Sequence, residues 1–116
     1  MNELPYRVEK PWGHEVIWAR TDRYVGKILH VTAGHALSLQ YHERKDETMH
    51  LLSGEMYLRK GTVAHVEETV MRAGESVHLP AGVVQQIEAI TDCDVLEAST
   101  PELDDLIRLN DRYGRR

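Results

Sequence analysis

Ala36-Leu37-Ser38-Leu39-Gln40-Tyr41-His42 alternates between two kinds of side chain. Leu37, Leu39 and Tyr41 fall on one side, and Ser38, Gln40 and His42 on the other. That alternation reads as a β-strand, and it aims Gln40 and His42 in one direction, roughly 6–7 Å apart along the chain. The next residues, Glu43-Arg44-Lys45-Asp46, are polar enough to read as a hairpin loop. Closing the hairpin would set Glu47 opposite His42 across an antiparallel pair. A carboxamide oxygen, an imidazole nitrogen and a carboxylate converging in this way form a plausible metal site. A strand histidine ordinarily makes one hydrogen bond, and Gln or Glu ordinarily faces water. A second element strengthens the metal reading: Gly74 to Gly82 (GESVHLPAG) is a strand entering a Pro-x-Gly turn, and the strand after it would return a fourth ligand.

Outward from this stretch the chain reads as short strands separated by turn residues. They are His14–Arg20, Tyr24–Thr32, Ala36–His42, Glu47–Leu52, Met56–Lys60, Thr62–Glu67, Thr69–Arg72, Ser76–Leu79, Val84–Ile90 and Cys93–Ser99. Turn signals include Ala33-Gly34, Ser53-Gly54, Lys60-Gly61, Ala73-Gly74 and Pro80-Ala81-Gly82. The pattern is that of an all-β sandwich or barrel. Only Pro101–Leu109 suggests a helix, with Pro101 early, acids in its first turn, and Leu103, Leu106 and Ile107 on one face.

Composition narrows the function. The 116 residues amount to one domain, 1–116. The 14 basic residues against 19 acidic ones leave a formal charge of −5, which excludes a nucleic-acid footprint as the main property. No apolar run is long enough to span a bilayer, and Met1–Lys10 has no signal-peptide core, so a cytoplasmic location and no membrane partner are expected. The single cysteine, Cys93, excludes an intrachain disulfide and reads as a packed core residue.

The two elements together resemble the cupin motifs G-x5-H-x-H-x3,4-E-x6-G and G-x5-P-x-G-x2-H-x3-N. Gly34, Gln40, His42, Glu47 and Gly54 match the first at correct spacing across 34–54, with Gln40 in place of the first histidine. Gly74, Pro80 and Gly82 match the second across 74–89. The LSLQ-x-H stretch is similar to the C-terminal cupin of type II phosphomannose isomerase/GDP-mannose pyrophosphorylases. Lys10-Pro11-Trp12-Gly13, Lys27 and the ending Asp104-Asp105-Leu106-Ile107-Arg108…Asp111-Arg112-Tyr113-Gly114-Arg115 resemble further blocks of that family.

The resemblance implies a single-domain cupin, a double-stranded β-helix or jelly-roll barrel, standing alone with a short C-terminal helix. It further implies one divalent ion, zinc or manganese, held by Gln40, His42, Glu47 and the position of the second motif's histidine, which is Gln85 here. A carboxamide at Gln85 makes the donor set harder and shifts preference toward Mn2+ or Mg2+. No organic cofactor is implied. The implied activity is aldose–ketose isomerisation of a sugar phosphate, mannose 6-phosphate and fructose 6-phosphate being the family pair. The alternative is a sugar-phosphate-binding cupin without catalysis. Arg108 would stabilise the developing oxyanion, and Lys27 and Lys45 would bind substrate, although Lys45 sits where a solvated surface charge is the ordinary state. His50, His78, Glu88 and Asp104 are undistinguished as the base. Nucleotidyl transfer does not carry over. A homodimer is expected, with His14–Trp18 as the pairing edge.

Overall fold

The computed structural model describes residues 3–115. Eleven strands occur among them: β1 (Tyr6–Lys10), β2 (Gly13–Arg20), β3 (Val25–Val31), β4 (Leu39–Tyr41), β5 (Glu47–Ser53), β6 (Glu55–Gly61), β7 (Val66–Arg72), β8 (Ser76–Leu79), β9 (Val84–Ala89), β10 (Cys93–Ser99) and β11 (Ile107–Asn110). They form two antiparallel sheets, one ordered β1-β2-β3-β10-β5-β8 and the other β11-β4-β9-β6-β7.

Period-two alternation builds the interior. On β5, Glu47, Met49 and Leu51 are buried in turn, and on β10 Cys93, Val95, Glu97 and Ser99. Register places Leu29, Val95 and Leu51 side by side across β3, β10 and β5. These pack with Met56 and Ile87 of the facing sheet in one hydrophobic cluster. Each fully buried aliphatic or Met side chain contributes about 1.5–3 kcal/mol. One step along the same strands, Lys27 lies opposite Glu97. The barrel is therefore apolar at one end and charged at the other. Cys93 is buried at the apolar end, and burial first, with Asp94 and Asp92 adding to it, pushes its thiol up to about 11. It is a core residue.

Three sequence expectations change. Pro101–Leu109 forms no helix. Short turns at Leu103, Asp105 and Leu106 lead instead into β11, whose Ile107 and Arg108 pair with Tyr41 and Gln40 of β4. An isolated short helix is marginal, and ladder pairing outcompetes it here. Thr62–Glu67 and Thr69–Arg72 are not two strands: Thr62 and His65 bond across a turn, and Val66–Arg72 is continuous. Finally, His14–Trp18 is not an edge, because β2 lies between β1 and β3; the edges of that sheet are Tyr6–Lys10 and Ser76–Leu79.

Candidate functional site

His42 and Glu47 do meet, but not across a hairpin. His42 follows β4 in one sheet, while β5 begins at Glu47 in the other and pairs with β8 and β10. The connection 43–46 crosses between the sheets, so the two side chains face each other over the barrel interior. His42 Nε2 lies 3.5 Å from Glu47 Oε1.

Asp105 fixes that crossover. Its carboxylate accepts the consecutive N–H groups of Glu43, Arg44 and Lys45 at 3.0, 2.6 and 2.8 Å. Burial opposes its charge, but these three bonds prevail and hold its pKa at about 2. The Asp105 carbonyl also accepts the Nδ1–H of His42. This leaves the lone pair on Nε2, the arrangement found when an imidazole serves a metal.

The charged end encloses a cavity of about 320 Å3 lined by Gln40, His42, Lys45, Glu47, Glu97 and Arg108 among others. His42, Lys45, Glu47, Gln85 and Glu97 are all buried. Gln40 and Gln85 are backbone partners across β4 and β9, and Gln40 Oε1 accepts a bond from Ser38 at 2.6 Å. Arg108 is half-buried and lies opposite Gln40 on β11. Of the four proposed ligands, Gln40, His42 and Glu47 line the cavity, while Gln85 on β9 is buried beside them with its amide toward Glu47.

Lys27 and Lys45, both on the cavity lining, are each ion-paired with buried acids. Lys27 Nζ stands 3.5 Å from Glu15. Lys45 is not the solvated charge its loop position suggested. Its ammonium turns inward and lies 3.2 Å from both Glu47 Oε2 and Glu97 Oε2. Burial pushes the Glu47 pKa up, but His42, Lys45 and the Gln85 amide favour the carboxylate and hold it at about 2. Glu97 goes the other way: burial and the adjacent Glu47 raise it, with Lys45 and Lys27 only partly compensating. Glu47 and Glu97 therefore share the Lys45 ammonium, with ionisation favoured at Glu47 and opposed at Glu97. Removing one partner of such a pair strands a buried charge, so Lys45→Met should lower unfolding stability by about 3–5 kcal/mol in a urea titration. An unchanged midpoint would return Lys45 to the surface.

Buried polar atoms test whether an ion fits. His42 Nε2, Glu47 Oε1 and Gln85 Nε2 are buried without a well-formed hydrogen bond, whereas Glu47 Oε2 has the Lys45 ammonium at 3.2 Å. Unsatisfied groups of this kind are rare and costly inside proteins. Two of them, an imidazole nitrogen and a carboxylate oxygen facing each other at 3.5 Å, suit a shared cation. The donor set is lean: among the described residues, no three or more His, Cys, Asp or Glu side chains gather as a metal group. The carboxamides Gln40 and Gln85 are the further donors that the motif spacing offers. The residues present fit a hard divalent ion better than zinc.

The family description "Mannose-6-phosphate isomerase C-terminal" matches residues 2–111. The chain belongs to the mannose-6-phosphate isomerase C-terminal family. Among curated relatives of this family member, mannose-1-phosphate guanylyltransferase 2 of Escherichia coli O157:H7 is 30% identical over 111 residues, 91% of this chain but 22% of that protein. The chain thus spans less than a quarter of that relative's length. In fold it is similar to the capsular polysaccharide assembling protein CapF of Staphylococcus aureus, with TM-score 0.76, 20% identity, and coverage of 95% of this chain and 35% of the other. Oxalate decarboxylase of Bacillus subtilis aligns with TM-score 0.80 and 11% identity over 91% of this chain and 30% of its own. The fold is a cupin, all-β in two antiparallel sheets.

Of the residues proposed for the base, His50 and His78 are outside the cavity, bonded to Ser76 and Asp46. Glu88 is held by Arg59 and Arg112. Asp104 remains on the cavity wall. Sequence reasoning missed Glu15 and Glu97. Both alternate in step with buried neighbours, Glu15 with Ile17 and Glu97 with Val95, and that alternation was their signal.

Proposed function

We propose that this family member is a metal-assisted aldose–ketose isomerase acting on a sugar phosphate, with mannose 6-phosphate and fructose 6-phosphate as the pair the family implies. The observation that carries the reading is the cavity-facing pair His42 Nε2 and Glu47 Oε1, buried 3.5 Å apart without a well-formed hydrogen bond. Gln40, His42, Glu47 and Gln85 would hold one divalent ion, zinc or manganese. Manganese suits the oxygen-rich set, and a fold neighbour, oxalate decarboxylase, is described with Mn(II) centres. Bound there, the ion would supply Lewis-acid polarisation of the substrate carbonyl.

The chain's own groups do the rest. Isomerisation moves a proton between adjacent carbons and places negative charge on their oxygens. Arg108 faces the cavity and would donate two parallel hydrogen bonds to that developing charge. Lys27 and Lys45, neutralised by glutamates, would serve substrate hydroxyls as hydrogen-bond donors. Asp104 and Glu97 are the cavity carboxyls left for proton transfer. The protein would work in the cytoplasm and as a homodimer, pairing through the Tyr6–Lys10 edge.

Incubating the protein with Mn2+ and fructose 6-phosphate in D2O should produce mannose 6-phosphate labelled at C2. Binding of the sugar phosphate without exchange at C2 would favour the second reading, a non-catalytic sugar-phosphate-binding cupin. Gln85 in place of an imidazole and the Lys45 ammonium already resting on Glu47 favour that alternative.

A further inference from the structure

The cations deep in the cavity are already answered by acids. Lys10 and Lys27 share Glu15, at 4.0 and 3.5 Å. Lys45 lies between Glu47 and Glu97. At the outer part of the wall, Arg115 grips Asp111 with two bonds of 3.0 and 2.9 Å. Arg108 adds its charge to the same Asp111. A phosphate monoester carries up to two negative charges and requires a guanidinium or ammonium that no carboxylate occupies.

Arg20 meets that requirement. It lines the cavity and is exposed, so the cavity meets solvent beside it. Its Nη1 donates to the Tyr6 hydroxyl at 3.0 Å. Among the described residues, no carboxylate lies within ion-pairing distance of it.

Simple alternation would not place Arg20 there. His14, Val16, Trp18 and Arg20 are one face of β2, whereas Glu15 and Ile17 are the buried face. The register, however, slips between Ile17 and Ala19: Ile17 pairs with Lys27, but Ala19 pairs with Gly26 and Arg20 with Val25. One extra residue on β2 is a bulge, and a bulge reverses the facing of everything beyond it. Arg20 thereby joins Val25 and Lys27, whose side chains are buried in the barrel. Trp18 is left outside, 49% exposed, with its indole laid over Gly26. A Cβ at Gly26 would come within 2.6 Å of that ring. The Trp18–Gly26 contact and the bulge form one device that turns an outer-face arginine toward the cavity mouth.

We propose that Arg20 is the anion-binding residue at the cavity mouth and that it receives the phosphate monoester of the substrate. The proposal deepens the isomerase reading and rests on it for the nature of the substrate, but its test reads binding and not turnover. Mannose 6-phosphate, inorganic phosphate and unphosphorylated mannose are titrated calorimetrically into wild type, Arg20→Ala and Arg20→Lys. Arg20 is exposed, so its replacement leaves the core intact. Arg20→Ala should weaken both phosphate-bearing probes by about tenfold or more, the scale set by losing a charge-assisted bidentate contact. Arg20→Lys should recover part of that loss, and mannose should not distinguish the three proteins. Equal affinity of wild type and Arg20→Ala for mannose 6-phosphate overturns the proposal, as does a wild type that takes neither phosphate probe. Arg20-dependent binding without C2 exchange would uphold it while removing the isomerase reading.

Discussion

His42→Ala is expected to lose divalent-ion binding almost completely while the barrel still folds. His42 is the only nitrogen donor among the four proposed ligands, and its Nδ1–H is committed to the Asp105 carbonyl, so the ring is fixed with Nε2 toward Glu47. Disturbing a residue that merely orients a ligand typically costs 10–100-fold in metal affinity, so deleting the ligand should cost more than about 100-fold. Isothermal titration with Mn2+ reads the change directly. The proton competes with the ion for the same lone pair. Burial lowers the His42 pKa, but Glu47 and the Asp105 carbonyl raise it by more, so the net direction is upward from 6.5. Ion affinity in the wild type should therefore rise with pH through and above that value, and that pH dependence should vanish in His42→Ala. The converse exchange, Gln85→His, returns a second imidazole to the cavity and should tighten binding. Wild-type affinity in His42→Ala would place the ion, if any, elsewhere.

Arg108→Ala should lower isomerase turnover by about 10²–10³-fold, the usual consequence of removing one preorganised donor from a developing oxyanion. The loss should fall on kcat, because the contact strengthens only as charge appears on the substrate oxygen. The position supports this assignment. Backbone pairing of Arg108 with Gln40 ties the guanidinium to the strand that carries a proposed ligand. A loss confined to KM would make Arg108 a ground-state binding residue, and unchanged kinetics would remove it from the reaction.

The sequence made one line of the site visible and hid its surroundings. Gln40, His42 and Glu47 could be proposed because motif spacing along a chain is a local property. How they meet could not, since whether the segment 43–46 turns as a hairpin or crosses between sheets depends on Asp105, some sixty residues away. The same distance hid the fate of Pro101–Leu109. Its acids and leucines suit a helix locally, but Asp105 caps the crossover and Ile107 finds β4. Lys45 looked solvated because its neighbours are polar; it turns inward because two buried glutamates wait there. Glu97 was legible in principle from its step with Cys93 and Val95, yet the surrounding apolar residues masked it. Arg20 was not legible, because the bulge that turns it depends on a glycine across the sheet.

The proposed chemistry requires a cation held between the His42 imidazole and the Glu47 carboxylate. Anomalous diffraction from crystals grown with Mn2+ tests this most directly. The predicted result is a single strong peak per chain within coordinating distance of His42 Nε2 and Glu47 Oε1, with the Gln40 and Gln85 amides turned toward it. A featureless map there, with the Lys45 ammonium as the sole positive charge on Glu47, would contradict it.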